Sequence, residues 1–252
     1  MRRTVPHRRP VGSRPGRDAA FAAAACGVLA GYNNVSGPWQ RAWYPVANLA
    51  AAGTAVAAAR RSGLTAADLG LRPDRLGAGV RTAAGPAAAL AAGWLVLAAV
   101  PATRPALADQ RITGLSWPEV GYQVIIRIPV GTVLWEETAF RGVLQAALRR
   151  VLPGPAAIAM TSAVFGIWHI RPTMAALRIN QVATGRLAEL AAVAAAVAGT
   201  AAAGVVLSWL RDRSGSVAAP VLLHLTANCG AALAARWVAG PLAPQHLRAM
   251  PR

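Results

Sequence analysis

Long apolar runs recur along this chain of 252 residues, and clusters of arginine separate them. A helix needs about 20 mainly apolar residues to cross the roughly 30 Å hydrocarbon core of a bilayer. Hydrophobic residues make up 55% of the chain and charged residues only 14%, which argues against a soluble protein. A single alanine-rich run also suits a buried helix of a soluble protein, but repeated runs favour a membrane protein. We therefore predict an all-α fold, a polytopic bundle of transmembrane helices.

Seven segments have the length and composition of membrane spans. Residues 1–17 carry six arginines among prolines and glycines and are predicted to form a disordered basic tail. Residues 18–240 are predicted to form a single membrane-embedded helical domain, and 241–252 a C-terminal tail. The candidate spans are 19–35, 42–59, 83–102, 118–135 with its helix continuing to about 150, 155–170, 187–210 and 216–240.

The net charge of +17 comes from arginine alone, because the chain contains no lysine. In a soluble protein this charge would suggest a nucleic-acid partner, but here the arginines lie at the ends of apolar runs, where they contact lipid headgroups. No nucleic-acid partner is therefore predicted. Placing the N-terminus in the cytoplasm puts fifteen arginines on the inner side and eight on the outer side, which predicts a cytoplasmic N-terminus. Abundant arginine and alanine are typical of GC-rich coding, so we predict a bacterial cytoplasmic membrane.

Two adjacent carboxylates, Glu136 and Glu137, fall at the end of the fourth apolar segment. Ionisable groups at membrane depth are costly and usually mark functional sites. Glu137 lies four residues before Arg141 on one helix face, so this pair can neutralise itself and has a purely structural interpretation as well. Glu136 points about 100° away from that face. It therefore needs an ion, a proton or a histidine from another helix.

Two later apolar segments carry one histidine each. Phe165 lies one turn before His169, and Asn228 lies one turn after His224. A lone histidine in an apolar helix is more often a core residue than a functional one. Helical rise nevertheless places both histidines, Asn228 and Glu136 within roughly 10 Å of the same depth. The sequence therefore predicts that these groups form one site.

Their chemistry suits the activation of water. A carboxylate in apolar surroundings is a competent general base, histidine can pass a proton to a leaving amine, and an amide can donate to an oxyanion. Imidazole and carboxylate also bind zinc, and Glu136, His169 and His224 are then the predicted ligands. The H-E-x-x-H helix of common zinc proteases is absent. Zinc and a metal-free glutamate mechanism both stay open.

Three motifs in this order resemble the signatures of the CPBP family, which comprises type II CAAX prenyl endopeptidases and bacteriocin-processing or immunity membrane proteins. The resemblance covers about 118–240. It implies an intramembrane endopeptidase fold, often labelled a metalloprotease, with a conical cavity open to the cytoplasm. The motifs are Glu136-Glu137-x-x-x-Arg141, Phe165-x-x-x-His169 and His224-x-x-x-Asn228.

The resemblance also implies a role for each group. Glu136 activates water together with His169, while His224 and Asn228 stabilise the oxyanion. Glu137 and Arg141 support that arrangement.

The predicted function is cleavage of a membrane-associated peptide or protein, in CAAX-type processing or in processing of a bacteriocin leader. A non-catalytic immunity or adaptor protein that binds a peptide in the same cavity is an alternative. An ion-coupled transporter is another, but it should show inverted repeats and broken helices. The sequence shows neither.

Overall fold

The computed structural model describes residues 15–35, 40–182 and 185–240, and the regular elements within these ranges are helices. The predicted tails lie largely outside them. The first helix begins at Pro15, so residues 15–17 belong to it rather than to the predicted tail. Proline suits the first position of a helix, and Asp18 places a carboxylate in the first turn, where the helix dipole favours it.

Seven long helices coincide with the seven candidate spans, and three short ones lie between them in the described ranges. The helices are α1 (Pro15–Val35), α2 (Gln40–Arg61), α3 (Leu76–Ala99), α4 (Arg104–Leu107), α5 (Gln110–Thr113), α6 (117–148), α7 (Gly154–Trp168), α8 (Ile170–Asn180), α9 (Arg186–Ser214) and α10 (Ala218–Val238).

Among the residues that the structure describes, three helical segments are long and apolar enough to cross a membrane: Pro73–Ala99, Arg186–Ser214 and Ala218–Val238. The helix α7 has only 15 residues, which is about 22 Å of helix and less than the hydrocarbon thickness. The helix α6 is long, but four ionisable residues lie in its middle and second half: Arg127, Glu136, Glu137 and Arg141. The count of seven spans therefore stays a prediction.

The helix α6 runs through the centre of the bundle. Every residue from Trp135 to Leu148 is buried. Two stretches of this helix, Gln123–Leu134 and Thr138–Leu144, are wound as π-helix. The wider turns of a π-helix are rare and occur mostly at functional sites. They flank Glu136 and Glu137 on both sides.

Polar contacts define the two ends of the bundle. At one end, Arg150 bonds Asp18 at the start of α1 (3.2 Å) and the carbonyl oxygen of Gly63 after α2 (2.6 Å). At the opposite end, the side chain of Asn180 at the end of α8 donates to Asp109 between α4 and α5 (3.2 Å). We call these the Arg150 end (15–18, 60–75, 149–153 and 211–217) and the Asp109 end (33–35, 40–44, 94–113, 167–180 and 236–240).

Glycines let α7 and α9 pack closely. A Cβ atom on Gly166 would lie 2.7 Å from the carbonyl oxygen of Val197, and one on Gly204 would lie 3.1 Å from Cα of Ser162. Small residues at such positions are the usual means by which membrane helices approach each other. This packing fixes α7, which carries most of the second motif, against α9.

Candidate active site

Glu136 on α6 is buried, with 4% of its surface exposed. Its Oε1 atom accepts a hydrogen bond from the indole Nε1 of Trp168 (3.0 Å). Its Oε2 atom has no hydrogen-bond partner among the described residues and lies 3.9 Å from Nε2 of His224. Buried polar atoms are normally hydrogen-bonded, so one without a partner calls for an explanation. A reactant that forms a hydrogen bond to Oε2 during the reaction would explain the missing partner.

A buried chain of hydrogen bonds runs behind Glu136. The predicted ion pair is present: Arg141 Nη1 donates to Glu137 Oε1 (3.1 Å), and both side chains are fully buried. His224 Nδ1 lies 2.7 Å from the same oxygen, and Asn228 Nδ2 lies 3.2 Å from His224 Nε2. With its proton on Nδ1, His224 donates to Glu137 and accepts from Asn228. The ion pair therefore orients the histidine, and the histidine orients the amide.

His169 stands at a break between α7 and α8, at the end of the predicted span 155–170. Its backbone has φ −90° and ψ 1°, outside the helical region. Its Nδ1 atom lies 2.7 Å from the carbonyl oxygen of Phe165, so Nδ1 carries the proton and Nε2 is an acceptor in the neutral ring. The Phe165 ring contacts both histidine rings, with centroid distances of 4.6 Å to His169 and 6.2 Å to His224.

Two asparagines of α1 hold this break. Asn33 donates to the carbonyl oxygen of Trp168 (3.3 Å), and Asn34 donates to that of Ile167 (3.0 Å). The side-chain oxygen of Asn34 accepts from the backbone N–H of Arg171 (3.0 Å). A helix end leaves such backbone groups without partners inside the helix. In the sequence these asparagines only interrupt an apolar run, and their role depends on a contact more than 130 residues away.

The indole of Trp168 is fixed from two sides. It stacks on Tyr32, with a centroid distance of 5.6 Å and an interplanar angle of 2°, and it meets Phe140 edge-on at 5.4 Å. The indole nitrogen also donates the hydrogen bond to Glu136. Trp168 thus determines which oxygen of Glu136 is hydrogen-bonded and which has no partner in the described residues.

We expect Trp168→Phe to lower the rate of the reaction roughly tenfold. The substitution keeps an aromatic side chain but removes the indole N–H that donates to Glu136. The KM value should change little. Trp135→Phe is a matched control, since the indole nitrogen of Trp135 has no partner among the described residues. Steady-state rates of the two purified variants, compared with wild type, test this, and equal losses in both would contradict it.

A cavity of about 900 Å³ lies against these groups. Glu136, His169 and Asn228 line it, while His224 lies behind Asn228. On the side of the Arg150 end, Glu137, Arg141 and Gln145 are fully buried and close the bundle. The cavity therefore extends to the Asp109 end. Between Glu136 and that end, the polar and aromatic residues that line the cavity include Tyr44, Trp94, Asp109, Arg111, Gln123 and Arg127.

Two aromatic side chains in the cavity wall, Tyr44 and Trp94, pack directly against glycines. A Cβ atom on Gly131 would lie 2.7 Å from Cδ1 of Tyr44, and one on Gly230 would overlap the ring of Trp94. The absence of a side chain lets each ring approach its helix. In this position the Tyr44 hydroxyl reaches Oγ1 of Thr132 (3.1 Å), one turn before Glu136.

At the Asp109 end, an ion pair lines the cavity. Arg111 bonds both carboxylate oxygens of Asp109, and Asn180 donates a further hydrogen bond. Burial acts to raise the pKa of Asp109, but the hydrogen bonds from Arg111 and Asn180 outweigh it and hold the pKa below its usual value. A lowered pKa stabilises the fold above the ordinary pKa of the group, and this contribution is lost as the pH falls through the lowered value. The pair is thus ionised and self-compensated at neutral pH.

The predicted zinc ligands do not fit one metal ion. Within the part of the chain that the structure describes, no three histidine, cysteine or carboxylate side chains are grouped as metal ligands. His224 uses one ring nitrogen for Glu137 and the other for Asn228. It has no nitrogen left to join Glu136 and His169 as a ligand.

Residues 118–230 match a family model described as Type II CAAX prenyl endopeptidase Rce1-like. No curated protein and no solved structure matches the chain. The matched segment contains all three motifs, and its family is one of membrane proteases. Together with helices long and apolar enough to span a bilayer, this match makes the chain an integral membrane protein. The match over residues 118–230 therefore supports membership of this segment in the CPBP family, the membrane proteins that resemble type II CAAX prenyl endopeptidases.

Proposed function

We propose that this chain is an intramembrane endopeptidase that cleaves a membrane-associated peptide or protein, in CAAX-type processing or in processing of a bacteriocin leader. One observation carries the proposal. The buried carboxylate of Glu136 has one oxygen held by Trp168 and one without a partner in the described residues. Glu136 lines the same cavity as His169 and Asn228.

In the first step, Glu136 acts as the general base. Its Oε2 atom takes a proton from water, and the oxygen of that water forms a bond to the carbonyl carbon of the scissile peptide. His169 helps to orient the water through Nε2, because its Nδ1–H is used by the Phe165 carbonyl. No metal ion enters this step, since the donor groups are not arranged around one.

Asn228 stabilises the oxyanion that forms on the carbonyl oxygen. One N–H of its amide is directed to His224 Nε2, which leaves the second for the substrate. His224 therefore acts through Asn228 and is itself held by Glu137 and Arg141. When the C–N bond breaks, the proton held by Glu136 passes to the leaving amine, and His169, which lines the same cavity, carries it. The carboxylate is then restored.

The proposal is tested by finding a peptide that accumulates when the gene is deleted. Membrane peptides from the deletion strain and from a strain that carries the wild-type gene are compared by mass spectrometry. The accumulating peptide is then incubated with the purified protein in liposomes. Appearance of two fragments supports the proposal, and an intact peptide contradicts it. Growth protection that persists with Glu136→Gln would instead favour the immunity or adaptor function.

The proposal includes a bacterial cytoplasmic membrane and a cytoplasmic N-terminus. Arginines are concentrated at the Arg150 end, and the positive-inside rule then places this end in the cytoplasm. The cavity extends to the opposite end. It consequently faces away from the cytoplasm, in contrast to the cytoplasmic opening that the family resemblance implies. The arginine distribution belongs to this chain itself, so the proposed orientation follows it and not the resemblance.

Cysteine labelling tests this orientation. In a background in which Cys26 and Cys229 are replaced by alanine, we introduce Ala67→Cys at the Arg150 end and Ala108→Cys at the Asp109 end, both at exposed positions. A membrane-impermeant maleimide should label only Ala108→Cys in intact cells and both variants in lysed cells. Labelling of Ala67→Cys alone in intact cells would reverse the orientation and leave the peptidase proposal in place.

A further inference from the structure

Polar side chains recur along one face of α6, outside the cavity. They are spaced four residues apart and therefore share a face of the helix: Glu137, Arg141, Gln145 and Arg149. None of them lines the cavity. Arg141 and Gln145 are fully buried, while Arg149 is partly exposed at the Arg150 end. A polar stripe thus runs from the ion pair behind the candidate site to that end of the bundle.

The helix α9 presents a matching polar stripe with the same spacing. Arg141 Nη2 donates to the carbonyl oxygen of Gly204, and Gln145 Nε2 donates to that of Ser208. Both distances are 3.5 Å, which is long for a hydrogen bond. Gln145 Nε2 also donates to Asp212 Oδ1, at 2.9 Å. We call this contact the α6–α9 seam (residues 141–149 of α6 and 204–212 of α9).

The carboxylate of Asp212 fixes the orientation of the Gln145 amide. A carboxylate accepts hydrogen bonds and does not donate them, so it is Nε2 that faces Asp212. The amide oxygen Oε1 consequently points to the other side. There it is buried and has no hydrogen-bond partner among the described residues. The seam therefore contains an acceptor that no described donor reaches.

Three more polar atoms at this seam are buried without a partner in the part of the chain that the structure describes. They are Arg141 Nε, Ser208 Oγ and, on the neighbouring helix α7, Ser162 Oγ. Ser162 Oγ would lie 3.2 Å from a Cβ atom on Gly204, so α7 closes the seam from its side. Buried polar groups nearly always bond to protein or to ordered water. Four such atoms where three helices meet therefore point to a shared partner.

Charge and hydrogen-bonding type limit what that partner can be. Arg141 Nε is a donor, Gln145 Oε1 is an acceptor, and the serine hydroxyls can act as either. The guanidinium of Arg141 repels a cation, and the carboxylates of Glu137 and Asp212 on either side repel an anion. The close packing of α7 on α9 at Gly204 favours a small molecule. A small neutral molecule that both donates and accepts fits these conditions, and water has these properties.

We propose that the α6–α9 seam is a water-binding site. At least one ordered water accepts a hydrogen bond from Arg141 Nε and donates one to Gln145 Oε1, and the hydroxyl of Ser208 supplies a further bond. Buried waters typically make about three such bonds. The water connects the buried ion pair behind the candidate site with the partly exposed carboxylate of Asp212 at the Arg150 end. Solvent reaches the seam from that end rather than from the cavity.

Proton exchange of a single thiol tests whether water occupies the seam. In a background in which Cys26 and Cys229 are replaced by alanine, Ser208→Cys places one thiol there. The purified protein in liposomes is transferred to deuterated water, and infrared spectroscopy follows the S–H stretching band. We expect this band to be lost within the mixing time, because a bound water exchanges protons with the thiol directly. In a dry site, loss of the band needs local opening of the helices, which takes minutes to hours.

Thr161→Cys is a matched control in the same background. Thr161 is fully buried on α7, and its hydroxyl already donates to the carbonyl oxygen of Ala157 (2.8 Å) within the same helix. The thiol of this variant should keep its S–H band after that of Ser208→Cys is lost. Adding Gln145→Leu to Ser208→Cys should slow the exchange to the rate of Thr161→Cys, because leucine removes the acceptor that holds the water.

Three outcomes would overturn the inference. The first is an S–H band in Ser208→Cys that lasts as long as that in Thr161→Cys, and the second is equally fast loss in both variants. The third is fast exchange in Ser208→Cys that Gln145→Leu leaves unchanged. Thermal unfolding shows whether each variant is folded, and Ser162→Cys reports on the same seam if Ser208→Cys does not fold. No substrate is present, so the result is independent of the peptidase proposal.

Discussion

Glu136→Gln lowers the rate of cleavage by roughly 10²- to 10⁴-fold, the usual contribution of a general base. Glutamine has the shape of glutamate, and its carbonyl oxygen can still accept the hydrogen bond from Trp168. It cannot take a proton from water. We therefore expect the variant to insert and unfold like wild type and to keep its affinity for substrate. The measurement is kcat in liposomes, with the peptide that accumulates in the deletion strain.

Glu119→Gln is the matched control for this substitution. Glu119 caps the start of α6 through Ser116, with a backbone hydrogen bond of 2.7 Å, and it does not line the cavity. Its replacement should leave kcat unchanged. Wild-type kcat in Glu136→Gln would show that this carboxylate is not the base. An equal loss in both variants would show that the effect is not specific to the cavity.

Arg141→Met destabilises the protein by about 3–5 kcal/mol, the usual effect of removing one partner from a buried ion pair. Arg141 and Glu137 are both fully buried, so the remaining carboxylate loses its counter-charge without gaining water. The guanidinium also lies 4.1 Å from the centre of the Phe165 ring, a contact that the substitution removes. The expected result is a lower Tm in detergent and loss of protein from the membrane.

The double variant Glu137→Gln/Arg141→Met separates charge from packing. It removes both charges, and the glutamine can still accept the hydrogen bond from His224. We expect it to be more stable than Arg141→Met alone, because no uncompensated charge is buried. If its loss of stability equals the sum of the two single losses, the two charges do not interact.

Much of the helical architecture could be predicted from local sequence. Seven apolar segments became seven long helices because apolar length and composition are properties of each segment alone. Convergence of Glu136, His169 and Asn228 on one cavity followed from equal depth on neighbouring helices. Ionisable groups are so rare within the apolar segments that each one there was informative. Their catalytic roles stay predictions that the variants above test.

Other features depend on contacts that no local pattern contains. The sequence showed Trp168 as an aromatic residue of an apolar helix, and only the fold brings its indole to Glu136. The break at His169 falls at the end of the predicted span 155–170, but the helix α8 that follows it was not predicted. In the sequence Arg127 is only a charge within an apolar run. Only the packing of α2 beside α6 shows that it faces the cavity over Tyr44.

The hydrogen bonds from α1 to the break at His169 have a consequence for assembly of the protein in the membrane. The family match begins at residue 118, yet Asn33 and Asn34 supply the bonds that hold the second motif in place. The matched segment thus depends on contacts from outside it. Because α1 is synthesised before α7, the candidate site is complete only after the two helices have packed together in the membrane.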